Sequence, residues 1–176
     1  FVFTFYLPGI LGDIIPFFIF LLASFTDFLD GLLARLYKEE SKLGELLDPI
    51  ADKILVAAAL VLLVMNGIIK NYEVVAAIVI LTREILISGL REFLAKSKSE
   101  SLPVSSLSKF KTLIQMLSIA MLLTGETGNK IINFQDYNAQ TIGIILLWLS
   151  AALTLFTGYE YMRRGIDHAI SEDNKD

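Results

Sequence analysis

Five apolar stretches set the limits on what this chain can become. They run from Leu11 to Arg35, Pro49 to Gly67, Val74 to Phe93, Lys111 to Thr124 and Thr141 to Met162. All are rich in Leu, Ile, Ala and Val, and none alternates with period two. They therefore read as helices and not as barrel strands. A helix needs about 20 mostly apolar residues to cross a bilayer, and the fourth stretch is short by that standard. Phe1–Leu7 is also apolar and stops at Pro8–Gly9. It reads as the end of a further helix that starts before Phe1, since it lacks the basic region and small-residue cleavage site of a signal peptide. The expected fold is all-α: a polytopic integral membrane protein with six transmembrane helices, the first truncated. Residues 1–170 are expected to form one domain and 171–176 a polar tail. Gly31, Gly44, Ser88, Gly89, Ser118 and Gly143 lie within the stretches, where small residues let helices approach closely in lipid.

The basic residues test that topology. Apart from Lys70, Lys130 and Arg83, all 15 Lys and Arg fall in alternate connections or at the C-terminal end. One group is Arg35, Lys38, Lys42 and Lys53; a second is Arg91, Lys96, Lys98, Lys109 and Lys111; the third is Arg163, Arg164 and Lys175. This is the positive-inside pattern, and it assigns those segments to the cytoplasmic side. A soluble helical bundle has no reason to sort its charge this way.

Composition narrows the chemistry. The chain is 55% hydrophobic and 19% charged, with a mean hydropathy of +0.63, well to the apolar side of an average soluble domain. It has no cysteine and one histidine, His168. That excludes a disulfide framework, a thiol nucleophile and any metal site built on several His or Cys. The net charge of −4 argues against a nucleic-acid partner. Carboxylates, lysines, arginines and hydroxyls remain.

The carboxylates are arranged. Asp27, Asp30 and Ala34 are three and four residues apart, so they share a helix face; Gly44, Asp48 and Asp52 are four apart and share another. A short connection joins the two helices, so the faces can meet. Four close carboxylates repel one another, and a divalent cation removes that penalty. Oxygen-only donors suit Mg²⁺, Mn²⁺ or Ca²⁺, and four carboxylates can hold two ions about 4 Å apart, as in phosphoryl-transfer sites. Gly31, Ala34 and Gly44 leave room for a bulky group, and the planar fork of Arg35 can bind phosphate. Taken singly, these residues have plainer explanations. Asp48 before Pro49 looks like a helix N-cap, Asp27 and Asp30 like a solvated helix end, and Arg35 like a membrane anchor. Capping does not explain four aspartates on two facing stripes interleaved with small residues, and ionisable groups in membrane segments mark function.

The run Asp27-x2-Asp30-Gly31-x2-Ala34-Arg35-x8-Gly44-x3-Asp48-x3-Asp52 resembles the signature of the CDP-alcohol phosphatidyltransferase family, with every fixed position present. The resemblance implies a six-helix membrane enzyme, usually a homodimer, that depends on Mg²⁺ or Mn²⁺, and the four carboxylates have room for two such ions in each site. Such enzymes join an alcohol to the phosphatidyl group of a CDP-activated lipid and release CMP. It also implies that Asp27, Asp30 and Asp48 are metal ligands, that Asp52 is a metal neighbour and the general base, and that Gly31, Ala34, Arg35 and Gly44 contact the CDP moiety.

A second cluster bears on the acceptor. Arg83, Ile87 and Arg91 lie on one helical stripe, and Arg83 sits inside an apolar run where its charge needs a partner. Glu84 and Glu92 are the plain partners, although neighbours one apart do not face each other on a helix. Lys109 and Lys111 follow, with Thr112 and Gln115, and these lysines are equally explained as anchors of a helix end. The two segments resemble the phosphatidylglycerophosphate synthase branch. That resemblance implies CDP-diacylglycerol and sn-glycerol 3-phosphate as substrates, with the glycerol phosphate on Arg83, Arg91, Lys109 and Lys111. It also implies a bacterial cytoplasmic membrane, with a mitochondrial inner membrane as the alternative, and the charge pattern turns the active site toward the cytoplasm. The branch usually carries an Asn/Thr/Arg-containing segment that would lie before Phe1. Inositol phosphate, serine and phosphatidylglycerol are the rival acceptors. A divalent-cation transporter is the rival outside enzymes, but its site would sit near the bilayer midplane between repeated helices, and no repeat is visible here.

Overall fold

The computed structural model describes residues 1–37, 42–96, 106–134 and 137–173. The described residues are helical almost throughout. A short 3-10 helix, Val2–Tyr6, precedes α1 (Ile10–Tyr37), α2 (Lys42–Met65), α3 (Glu73–Lys96), α4 (Ser106–Leu123), α5 (Gly125–Ile131) and α6 (Ala139–Asp173). A two-residue antiparallel hairpin, β1 (Asn133–Phe134) with β2 (Tyr137–Asn138), links α5 to α6. Each of the five long helices overlaps one of the five apolar stretches. The chain divides into two compact units, Phe1–Lys70 with Leu117–Ile145, and Asn71–Met116 with Leu146–Asp176.

Each long helix buries one stripe and exposes the other. On α2, Val56, Ala59, Leu60 and Leu63 are buried at spacings of three and four, while Ile54, Val61 and Met65 are exposed. α3 buries Ala76, Ala77, Ile80 and Ile87 and exposes Val75, Ile78, Ile85 and Leu86. The buried stripes of α4 and α6 include polar residues: Lys111, Gln115 and Ser118 on the first, Ser150, Thr154 and Thr157 on the second. Their outward faces carry Phe110, Leu113 and Leu117, and Ile145, Leu149 and Phe156. Polar groups turned inward under an apolar exterior fit a surrounding of lipid.

Several segments differ from the sequence expectation. Phe1–Leu7 forms a 3-10 turn in place of the end of an α-helix. Leu7 is extended at φ −72° and ψ 138°, the conformation that a following proline imposes. α2 starts at Lys42, ahead of the apolar run, so Pro49 lies inside it. α6 runs on to Asp173, into the segment expected as a tail, because neither Gly nor Pro stops it there. Ala139–Arg163 is long and apolar enough to cross a bilayer by itself, and Leu107–Leu123 with Gly125–Ile131, bent by 96°, makes a second if the pair is one span. α3 falls short because Arg83 and Glu84 interrupt its centre, with Glu73, Arg91 and Glu92 toward its ends.

In the first unit the corners are fixed by specific bonds. α2 ends in a Schellman turn: Gly67, at φ +66°, donates to Val64 O at 3.0 Å, and Ile68 N donates to Leu63 O at 3.0 Å. Asn138 caps α6, its Oδ1 accepting from Thr141 N at 2.8 Å. The sharp turn between α4 and α5 is held by α1. Asp13 Oδ2 accepts from the backbone N–H of Thr127 at 2.9 Å and from its hydroxyl at 2.8 Å. Gly125, at φ +53°, lies so close to the Asp13 carboxylate that a Cβ there would overlap it. Asp13 thus does for α5 what a local cap does elsewhere. Asp13→Ala is expected to lower stability by about 1–2 kcal/mol, with Asp13→Asn intermediate, as read by thermal unfolding in detergent.

Candidate functional site

The aspartate signature maps onto two helices of the first unit that pack on each other, α1 and α2. Positions 27, 30, 31, 34 and 35 lie on the C-terminal part of α1, and 44, 48 and 52 on the first part of α2. Only four residues of chain, 38–41, separate the helices. The side chains of Asp27, Asp30, Gly31, Ala34, Arg35, Gly44, Asp48 and Asp52 lie outside the described residues, so their placement here is one of helix register. That register keeps 27, 30 and 34 on one face of α1 and 44, 48 and 52 on one face of α2. It also removes one plain explanation: Asp48 is inside α2, whose first residue is Lys42, and is no N-cap. The donor set is carboxylate oxygen without nitrogen or sulfur, which matches a hard divalent cation and not zinc. No group of three or more His, Cys, Asp or Glu gathers among the residues whose side chains are described.

The second unit holds the basic cluster, and here the side-chain geometry is defined. Arg83, midway along α3, donates from Nη2 to Thr157 Oγ1 on α6 at 3.0 Å and from Nη1 to Glu84 Oε1 at 3.3 Å. Lys111, from α4, donates its Nζ to the same Glu84 oxygen. One carboxylate oxygen therefore receives both a guanidinium and an ammonium from two different helices. Lys111 has 4% of its side chain exposed and Arg83 12%; Glu84 is the most open of the three at 21%. Gly158 makes room for the arginine stem: a Cβ there would stand 3.1 Å from Arg83 Cγ. Thr157 in turn donates to Leu153 O at 2.8 Å, so its lone pairs are oriented for Arg83.

Of the four residues expected around a phosphate, the structure brings Arg83 and Lys111 together. Lys109 is exposed, being two residues from Lys111 and so on another face of α4. Arg91 lies two turns beyond Arg83 on α3, and its side chain lies outside the described residues. Gln115, one turn after Lys111, is buried, and its Oε1 has no hydrogen-bond partner among the described residues. Glu84 does pair with its sequence neighbour Arg83, because an extended guanidinium reaches where helix register alone would not. The sequence reading missed Thr157 and Gly158, which sit in the apolar stretch of α6, where nothing local signals a partner on α3. Thr157→Val removes one acceptor from a part-buried guanidinium. It is expected to cost about 1–3 kcal/mol in thermal unfolding, with Thr157→Ser restoring most of the loss.

Comparison with known proteins bears on both units. The sequence model of a family described as CDP-alcohol phosphatidyltransferase matches residues 1–156. Among curated relatives, a Rickettsia bellii protein is 42% identical over 160 residues, covering 91% of this chain and 83% of the relative. A Cereibacter sphaeroides protein is 37% identical over 184 residues, covering 88% and 82%. A Yersinia pestis protein is 37% identical over 163 residues, covering 92% and 84%. All three carry the name CDP-diacylglycerol–glycerol-3-phosphate 3-phosphatidyltransferase.

Proposed function

The chain belongs to the CDP-alcohol phosphatidyltransferase family, and from that premise we infer that it transfers the phosphatidyl group of CDP-diacylglycerol to sn-glycerol 3-phosphate. The products are phosphatidylglycerophosphate and CMP, and the reaction belongs to phospholipid biosynthesis. The observation that carries this reading is the relatives' shared name at 37–42% identity over about nine-tenths of the chain. The convergence of Arg83 and Lys111 on one anionic oxygen supports a phosphate-bearing acceptor.

Asp27, Asp30, Asp48 and Asp52 would hold Mg²⁺ or Mn²⁺, two ions in the two-metal arrangement. Bound there, the ions supply charge neutralisation for the pyrophosphate and for the departing CMP. The protein's own groups do the rest. Gly31, Ala34 and Gly44 leave space along α1 and α2 for the nucleotide, and Arg35 offers its planar donors to a phosphate. Arg83 and Lys111, with Arg91 further along α3, take the phosphate of the acceptor; Lys109, exposed on another face of α4, is left out of that set. The acceptor hydroxyl attacks the phosphorus that bears diacylglycerol. A new P–O bond forms, the bond to the CMP oxygen breaks, and Asp52 receives the hydroxyl proton.

The setting follows from the outer faces. Phe18, Leu22, Ile54, Ile78, Ile85 and Phe156 are all exposed on the helices, which supports an integral membrane protein whose lipid substrate stays in the bilayer. The basic connections support a cytoplasmic side for the carboxylate end. Bacterial relatives suit a bacterial cytoplasmic membrane, and the family resemblance suits a homodimer.

The test is CMP release from CDP-diacylglycerol by purified protein in detergent with Mg²⁺, offering glycerol 3-phosphate, inositol phosphate and serine in parallel. Release with glycerol 3-phosphate alone, abolished by a chelator, is expected; release only with another acceptor overturns the reading. Asp52→Asn is expected to lower turnover by a factor of about 100 or more while thermal unfolding stays near wild type. Near-normal turnover of that variant removes Asp52 from the general-base role.

A further inference from the structure

We propose that Glu84 is an exchangeable counter-ion, which occupies the acceptor-phosphate site while no substrate is bound and yields it to a phosphate dianion. The inference rests on the acceptor reading above and assigns a part to a residue that reading leaves idle.

Three features of the second unit carry it. First, Arg83 and Lys111 reach Glu84 Oε1 from two helices, so one tethered oxygen stands where an oxygen of a phosphate would meet both donors. Second, exposure is graded. Lys111 at 4% and Arg83 at 12% are more deeply buried than Glu84 at 21%, so the carboxylate is the most open member of the three. Third, Arg83 is anchored apart from Glu84. Its Nη2 donates to Thr157 at 3.0 Å, and Gly158 is packed against its stem. The guanidinium can therefore change partner at Nη1 without losing its place.

The physical logic is one of charge. Two cations nine-tenths buried or nearly so cannot face each other without an anion. Glu84 provides one negative charge on a short tether, and a phosphate dianion provides two with more acceptor oxygens. The dianion displaces the carboxylate; a neutral alcohol or a zwitterion does not. Glu84 thus sets a threshold that only phosphorylated acceptors pass, which makes it a specificity-determining residue that need not touch the product.

The experiment compares wild type, Glu84→Gln and Glu84→Asp in detergent micelles, with glycerol 3-phosphate as substrate and inorganic phosphate as probe. With the competing charge removed, Glu84→Gln is expected to lower the KM for glycerol 3-phosphate and the inhibition constant of inorganic phosphate by about fivefold each. The KM for CDP-diacylglycerol is the internal reference and should not move. Inorganic phosphate should also raise the Tm of Glu84→Gln more than that of wild type, because it replaces the missing anion. A KM for glycerol 3-phosphate that is unchanged or raised, with no extra stabilisation by phosphate, makes Glu84 a structural ion-pair partner only and overturns the proposal. Where Glu84→Gln does not fold, Glu84→Asp decides: its withdrawn carboxylate competes less well, so its KM should fall about twofold, and a rise overturns the proposal. Arg83→Lys separates the two levels of inference. An unchanged KM for glycerol 3-phosphate in Arg83→Lys rejects the acceptor site itself, whereas a raised one alongside a silent Glu84→Gln rejects only the exchange.

Discussion

Helices with apolar outer faces turn much of their polar side-chain complement inward, toward other helices. That constraint organises this protein. Lys111, Gln115, Ser118, Ser150, Thr154 and Thr157 are buried, whereas Phe110, Leu113, Leu149 and Phe156 are exposed. In water the bare apolar surface of this distribution would be costly. In lipid it is the stable arrangement, since the hydrocarbon offers no hydrogen bonds and charges no penalty for Phe or Leu. The bonds that follow tie helices together. Ser118 donates to Gly143 O at 2.8 Å, Asp13 holds the start of α5, and Glu84 joins α3 to α4 while Arg83 joins α3 to α6.

What the sequence made legible was local. Five apolar runs became five long helices because a run of Leu, Ile, Val and Ala has few other ways to satisfy its backbone out of water. The spacing of the aspartates placed them on single faces of α1 and α2 because helix register depends only on residues three and four apart. The less legible parts depend on distant residues or on competing local rules. The start of α2 at Lys42 runs through a polar segment and past Pro49, where periodicity gives no warning. The turn at Gly125 is stabilised by Asp13, more than a hundred residues earlier in the chain. The hairpin at Asn133–Asn138 is too short to leave an alternating pattern.

The basic cluster shows the same division. Arg83 inside an apolar run signalled that a partner was required, which follows from the cost of a lone charge. Which partner could not be read, because the i+1 rule describes Cβ positions and an arginine reaches well beyond its Cβ. Lys109 and Lys111 are equivalent by composition and opposite in burial, since two residues on a helix turn a side chain to another face. Thr157 and Gly158 come into view only when α3 and α6 are seen side by side in the second unit.

Both candidate sites face one electrostatic difficulty, which is that like charges must be gathered before the substrate arrives. The four aspartates of α1 and α2 have no cationic side chain at a matching position in their signature except Arg35, and a divalent cation is the natural neutraliser of such a set. In the second unit Glu84 places one carboxylate oxygen against both cations. The difference suits what each set would bind. A metal ion is a resident that stays through turnover, so the carboxylates that hold it need no substitute of their own. An acceptor phosphate enters and leaves with every cycle, so its cations need an anion that is always within reach and never tightly enough held to stay. A part-exposed glutamate, sharing one oxygen between an arginine and a lysine, meets both requirements.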